Sequence, residues 1–341
     1  MNVTLSDIWF VLFVVIIGGY LILDGFDMGV GILHIPFAHS DGERRVLLNS
    51  IGPVWDGNEV WLILGGGVLF AAFPLVYASL FSGFYVAMML VLLVMILRTV
   101  AIEFRSKRQS PRWRTGWDVV FALSSAGLAL LLGVAFGNVL KGVTLDADGN
   151  IRMSLIDLLG PIPLLVGVTT VAMFAMHGSI YLSMKTDEAL NARIRVWLPR
   201  LMAAFFVLNT LLIAALVVFH PSITDRYAQN PWLVAFPAAA LAAILGAWYL
   251  LRTGHQFWAF VASSAMLFLL LVSAAAGVFP NLLISTVDAA NNLTIYNAAS
   301  ADGTLTVMLI IALIGMPFAL LYTAGVYYFF RGKVVVEPTG Y

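Results

Sequence analysis

The sequence predicts an all-α membrane protein of about nine transmembrane helices, built as two four-helix bundles plus one extra helix. Three observations carry this. Only 11% of the 341 residues are charged and 61% are hydrophobic, whereas soluble domains carry about 25% charged residues. So little charge cannot cover a surface that faces water all round. Apolar runs of about 20 residues recur along the chain, enough to cross a bilayer as helices. The basic residues also fall on one side once the runs are threaded through a membrane, which puts the N-terminus outside and the C-terminus in the cytoplasm.

The spans read as Ile8–Ile35, Gly52–Phe73, Tyr77–Ile102, Trp117–Leu140, Leu159–Met184, Leu198–Phe219, Trp232–Leu251, Phe257–Phe279 and Val307–Phe330. They form one polytopic domain, 1–341, with a first helix group over 8–140, a second over 159–279 and a last helix over 307–330. The start, MNVTLSD, has no positive n-region, and the apolar stretch after it exceeds a signal-peptide core, so it reads as a retained first helix. With the N-terminus outside, the inner loops and tail hold 14 Lys and Arg and the outer loops hold 3, Lys141, Arg152 and Arg226. Arg98 lies within a helix. The net charge of zero hides this asymmetry, and no basic tract suits nucleic acid.

The first helix contains LILDGFDMGVGIL. Asp24 and Asp27, three apart, share a face, and Gly25 and Gly29 offer close approach to another helix. The second carries NSIGPVWDGNEVWLILGGG, in which Pro53 starts or kinks the helix. Asp56, Asn58 and Glu59 follow, flanked by Trp55 and Trp61, and Gly65, Gly66 and Gly67 permit tight packing. An alternative is that the polar residues cap a helix that begins late, near Asp56. A very short turn at Phe73-Pro74 leads to the third helix, where Arg98 sits more than a turn before the basic loop. An unpaired Arg costs at least about 3 kcal/mol at mid-membrane depth, so it either snorkels or takes a carboxylate from the first or second helix.

The fifth helix holds a lone His177, more simply a hydrogen-bonded packing residue than a ligand. The outer segment Asn281–Leu305 is rich in Asn, Ala and Thr. Two readings stand open for it: a loose loop, or a segment packed on a neighbour's outer face.

Cysteine is absent, which excludes disulfides, iron–sulfur clusters and thiolate-bound or covalently attached haem. Of five histidines only His177 lies well inside an apolar run, too few for a chain ligating several haems. Asp24, Asp27, Asp56, Glu59, Arg98 and His177 all fall in the cytoplasmic halves of their helices. Crowded carboxylates share protons. The outer halves hold no comparable residue, so the pattern suits a half-channel open to the cytoplasm. A proton-coupled transporter is the other reading, but its site would sit near the mid-plane.

The runs LDGFDMGVG, ERRVLLNSIGPVWDGNEVWLILGGGVLFAAFPLVYASLFSGFYVAM, RSK after Arg98, HGSIYLSMKT and MPFALLYTAGVYYFFRGKV resemble subunit II of cytochrome bd quinol oxidases, over essentially the whole chain. The resemblance implies a respiratory enzyme of the bacterial cytoplasmic membrane that oxidises quinol and reduces dioxygen to water. Haem b and haem d would belong to a larger subunit I, the partner of this chain, which itself ligates none. A bound structural quinone or lipid, and a small single-helix accessory subunit, are compatible with the family. It further implies a role for Asp56 in one cytoplasmic proton route, with Trp55, Asp24, Asp27 and Arg98 matching polar positions around it.

Overall fold

The computed structural model describes residues 3–335; residues 1–2 and 336–341 at the ends of the expected 1–341 domain lie outside the described residues. The elements in order are α1 (Leu5–Phe37), α2 (Asp41–Ile51), α3 (Trp55–Ala72), α4 (Pro74–Gly83), α5 (Tyr85–Arg105), α6 (Pro111–Lys141), α7 (Leu155–Leu158), α8 (Pro161–Lys185), α9 (Glu188–Phe219), α10 (Pro221–Gln229), α11 (Ala235–Arg252), α12 (Gln256–Val278), the short strands β1 (Asn281–Leu283) and β2 (Leu293–Thr294), and α13 (Asp302–Phe329). Eight helices are long and apolar enough to cross a membrane among the described residues, or nine if α3 and α4, bent by 120°, count as one span.

Local chemistry sets most boundaries. Thr4 with Asp7 and Ser40 with Glu43 form capping boxes that start α1 and α2. Asp187 accepts from the Leu190 N–H and starts α9 ten residues before the expected Leu198, with Pro199 carried inside the helix. The second expected helix begins at Trp55 rather than Gly52. Residues 41–51 form the separate helix α2, so Pro53 lies in the turn between the two. The third expected helix, Tyr77–Ile102, is broken. Pro74 lacks an N–H and forces Phe73 out of the helical region (φ −133, ψ 63). Residues 74–83 then form α4, and the long helix starts only at Tyr85.

α1 and α8 lie at the centre. α1 packs on α3, α6, α8 and α12; α8 packs on α6, α9 and α12; α5 lies against α6, α11 against α12, and α13 leans on α1 and α3. The close α1–α8 approach needs glycine on both sides. A Cβ on Gly178 would stand 2.7 Å from the Gly29 Cα, and one on Gly25 would stand 2.7 Å from the Phe174 ring. Of the triplet in α3, Gly65 meets Ile17, whereas Gly66 and Gly67 face open space in this chain.

The outer segment is not a loose loop. β1 pairs with β2, Val143 N–H donates to the Ile284 carbonyl at 2.9 Å, and Ser300 N–H donates to the Ala72 carbonyl at 2.9 Å. Leu283, Ile295, Ala298 and Leu305 are buried with Trp9, Phe73 and Val143. Trp9 Nε1–H donates to the Leu305 carbonyl at 3.0 Å, tying α13 to α1. The segment thus caps its own bundle at the end opposite the basic loops.

Candidate functional site

Three helices converge on a buried charge cluster. Arg98, in the last two turns of α5, is fully buried. Its Nη2 donates to Asp24 Oδ1 at 2.5 Å and its Nη1 to Asp24 Oδ2 at 3.0 Å. The same Nη1 donates to Glu59 Oε1 at 3.0 Å. A partner from the first and from the second expected helix therefore meets this guanidinium, and snorkelling is ruled out by its burial. Charge-assisted, two-toothed pairing of this kind is the geometry a guanidinium is built for.

Asp27 lies one turn along α1 and is also fully buried. Asn58 Nδ2 donates to its Oδ2 at 2.7 Å, and the amide carbonyl of Asn58 accepts from the Tyr327 hydroxyl at 2.9 Å. Asn58 is thus committed to Asp27, and the cap residue of α3 is Val54, with no side-chain cap bond. The late start of α3 is real, but its polar residues are not there to cap it. Asp27 Oδ1 and Arg98 Nε, both buried, have no protein partner among the described residues.

Two expected members stand apart. Asp56 is exposed on the flank of α3 and joins none of these hydrogen bonds. Trp55 beside it is buried, packed among Phe26, Ile51 and Val54. His177 is fully buried. Its Nε2 lies 3.1 Å from the Ile22 carbonyl, its Nδ1 lies 2.9 Å from Ser263 Oγ, and its ring stacks on Phe260 at 4.9 Å. A carbonyl only accepts, so Nε2 donates to Ile22. Both nitrogens are used in packing helices together. Among the described residues no group of three or more His, Cys, Asp or Glu could hold a metal ion.

A second buried network went unread in the sequence. Asp118, at the start of α6, accepts from Arg105 Nε at 2.5 Å and Arg44 Nη1 at 2.9 Å, and lies 2.6 Å from His34 Nε2. Arg105 Nη2 also donates to Asp41 at 2.8 Å, which Arg114 holds from the other side at 2.7 Å. This ties α1, α2, α5 and α6 together at the basic end. An Asp just inside a span that follows a basic loop was the available signal. Close by, Arg193 Nη2 of α9 pairs with Glu43 Oε1 at 2.9 Å. That hydrogen bond, foremost, holds the Glu43 carboxyl down at about 2 against an ordinary 4.5.

The family described as "Cytochrome bd terminal oxidase subunit II" matches residues 5–330. The chain is 38% identical to the cytochrome bd-I ubiquinol oxidase subunit 2 of Escherichia coli K12, over 98% of this chain and 96% of that one. It is 36% identical to the cytochrome bd ubiquinol oxidase subunit 2 of Bacillus subtilis 168, over 99% of each. A chain in the structure of bd oxidase from Geobacillus thermodenitrificans has the same fold, with a TM-score of 0.80 at 17% identity over 96% of this chain and 99% of that one.

Proposed function

The chain belongs to the subunit II family of cytochrome bd terminal oxidases, and on that premise we propose that it delivers cytoplasmic protons for dioxygen reduction and supports a haem-bearing subunit I. In this reading the basic end faces the cytoplasm of a bacterial cell, as the distribution of Lys and Arg favours. The N-terminus is then outside. Haem b and haem d sit in subunit I, quinol is oxidised there, and this chain ligates no haem.

The observation that carries the proposal is the excess of carboxylates over cations in the buried cluster. Asp24 and Glu59 pair with the guanidinium of Arg98, and Asp27, held by Asn58, lies one turn from Asp24 on α1. The cluster can therefore take a proton without acquiring net positive charge, and lose it without leaving Arg98 unpaired. Asp27 Oδ1, with no protein donor, is the natural seat for a proton or for a water that carries one. Asp56 precedes Glu59 by one turn on α3 and is exposed on the flank of this chain. A bare carboxylate cannot face lipid cheaply, so that flank meets subunit I or water. Protons then pass from the Glu59 side of the cluster toward the partner, where each electron delivered to oxygen consumes one. Asn58 and Trp55 hold the start of α3 in register for this transfer.

The test is Asp56→Asn in the assembled oxidase. Oxygen consumption and proton uptake should slow while the haem spectrum is retained. Wild-type rates would remove Asp56 from the route, and loss of haem together with the complex would assign it a structural role instead.

A further inference from the structure

A cavity of about 370 Å³ opens at the basic end, between the ends of α8 and α13 and the turn into α3. Lys185, Arg331 and Lys333 line it, and no carboxylate among the described residues does. The chain after α13 is folded across its mouth by two reciprocal bonds. Lys185 Nζ donates to the Phe330 carbonyl at 2.6 Å, and the Val334 N–H donates to the Lys185 carbonyl at 2.9 Å. These hold three cations around one opening. Lys185 is half-buried and takes part in none of the ion pairs among the described residues.

Compensation of helix dipoles does not account for so much positive charge. Three helix C-termini, α2, α8 and α13, and one N-terminus, α3, meet here. At about half an elementary charge each they leave roughly −1 against three cations. A half-buried ammonium with spare donors beside two further cations calls for an anion with several acceptor oxygens. The surroundings point to its source. Phe329 and Phe330 line the cavity and are 79% and 46% exposed, and Phe318 and Leu321 on the outer side of α13 are 70% and 71% exposed. The polar opening thus runs directly into an apolar surface, as an amphiphile requires and a soluble anion does not.

We propose that this cavity holds the phosphodiester headgroup of an anionic phospholipid, with Lys185, Arg331 and Lys333 on the phosphate and the acyl chains along α13. The site shares Tyr327 with the Asn58–Asp27 chain, but its three cations are not members of the carboxylate cluster, so it stands whether or not that cluster carries protons.

The test uses the intact oxidase, delipidated in detergent and then given phosphatidylglycerol or phosphatidylcholine, with retention read by native mass spectrometry. The wild type should keep phosphatidylglycerol in preference to phosphatidylcholine. K185Q/R331Q/K333Q should weaken that retention by about tenfold or more, as the loss of three cations near a lipid surface implies. Lys107→Gln, at the same end but outside the cavity, should leave it unchanged. Lys333→Gln alone, on an exposed side chain, should weaken it about threefold if the triple variant fails to assemble. Equal retention of the two lipids, or unchanged retention in the variants, overturns the proposal. Displacement by glycerol phosphate at matched concentration overturns the lipid as the source and leaves a site for soluble phosphate esters.

Discussion

Arg98 of α5 and Asp24 of α1 form a two-toothed ion pair with no exposure on either side chain, at 2.5 and 3.0 Å. The pair joins two helices that otherwise have little contact, and it sets the charge balance of the whole cluster.

Removing one member should therefore cost more than removing both. Arg98→Met leaves the buried Asp24 and Asp27 and the partly buried Glu59 without a nearby cation and should destabilise the complex by about 3–5 kcal/mol. Adding Asp24→Asn to that variant should recover part of the loss. Thermal unfolding of the three purified complexes measures this, and a double variant no more stable than Arg98→Met would contradict the coupling.

The Tyr327–Asn58–Asp27 chain makes a milder prediction. Tyr327→Phe removes the donor that orients the Asn58 amide and should cost about 1 kcal/mol of stability. Asn58→Leu removes the donor to Asp27 as well and should lower turnover several-fold more than Tyr327→Phe does. Equal oxygen consumption in both variants and the wild type would show that Asp27 needs no oriented partner.

At the α1–α8 crossing, Gly178→Ala would drive a methyl group to 2.6–2.8 Å from the Gly29 and Val30 backbone. Two backbones cannot give way as a flexible side chain would. The expected loss is about 1–3 kcal/mol from overpacking, seen as a lower unfolding temperature. Gly66→Ala, which meets nothing in this chain, separates the two effects: it should leave this subunit's packing unchanged, and any loss it causes reports contact with a partner.

Acid should weaken the latch between α2 and α9. The folded Glu43 carboxyl sits at about 2, below its ordinary 4.5, so the stabilisation is fully present above about 4.5 and is lost as pH falls toward 2. Glu43→Gln should lower stability above that window, where the pair is intact, and flatten the profile across it. A variant whose acid limb matches the wild type would exclude the Glu43–Arg193 pair as its source.

How much of this was legible in the chain itself depends on the range of the interaction. Apolar runs, Lys and Arg placement, and the three-residue spacing of Asp24 and Asp27 are local quantities, so the all-α membrane class and the segregation of ionisable groups toward one end could be read directly. The break at Pro74 was visible as a turn, yet the 120° bend and the separate helix α4 were not. Proline dictates that a helix stops, whereas the direction of the next one depends on what it packs against, here the 143–151 segment through Ser79 and Gly149.

Partner choice was settled only in three dimensions. Arg98 could have taken any of several acids, and helix rotation and depth select Asp24 and Glu59. The Asp118 network draws on α1, α2, α5 and α6, and although Asp118 stands just inside its span, nothing local names its partners. The outer segment reads as a polar loop because its buried residues, Leu283, Ile295 and Ala298, are scattered among Asn and Thr without a period. Hydropathy and charge, summed along the chain, set an expected depth for each helix in a bilayer. Which side chains meet at that depth was decided by packing, because burial makes an unpaired charge or a poorly fitted backbone too costly to keep.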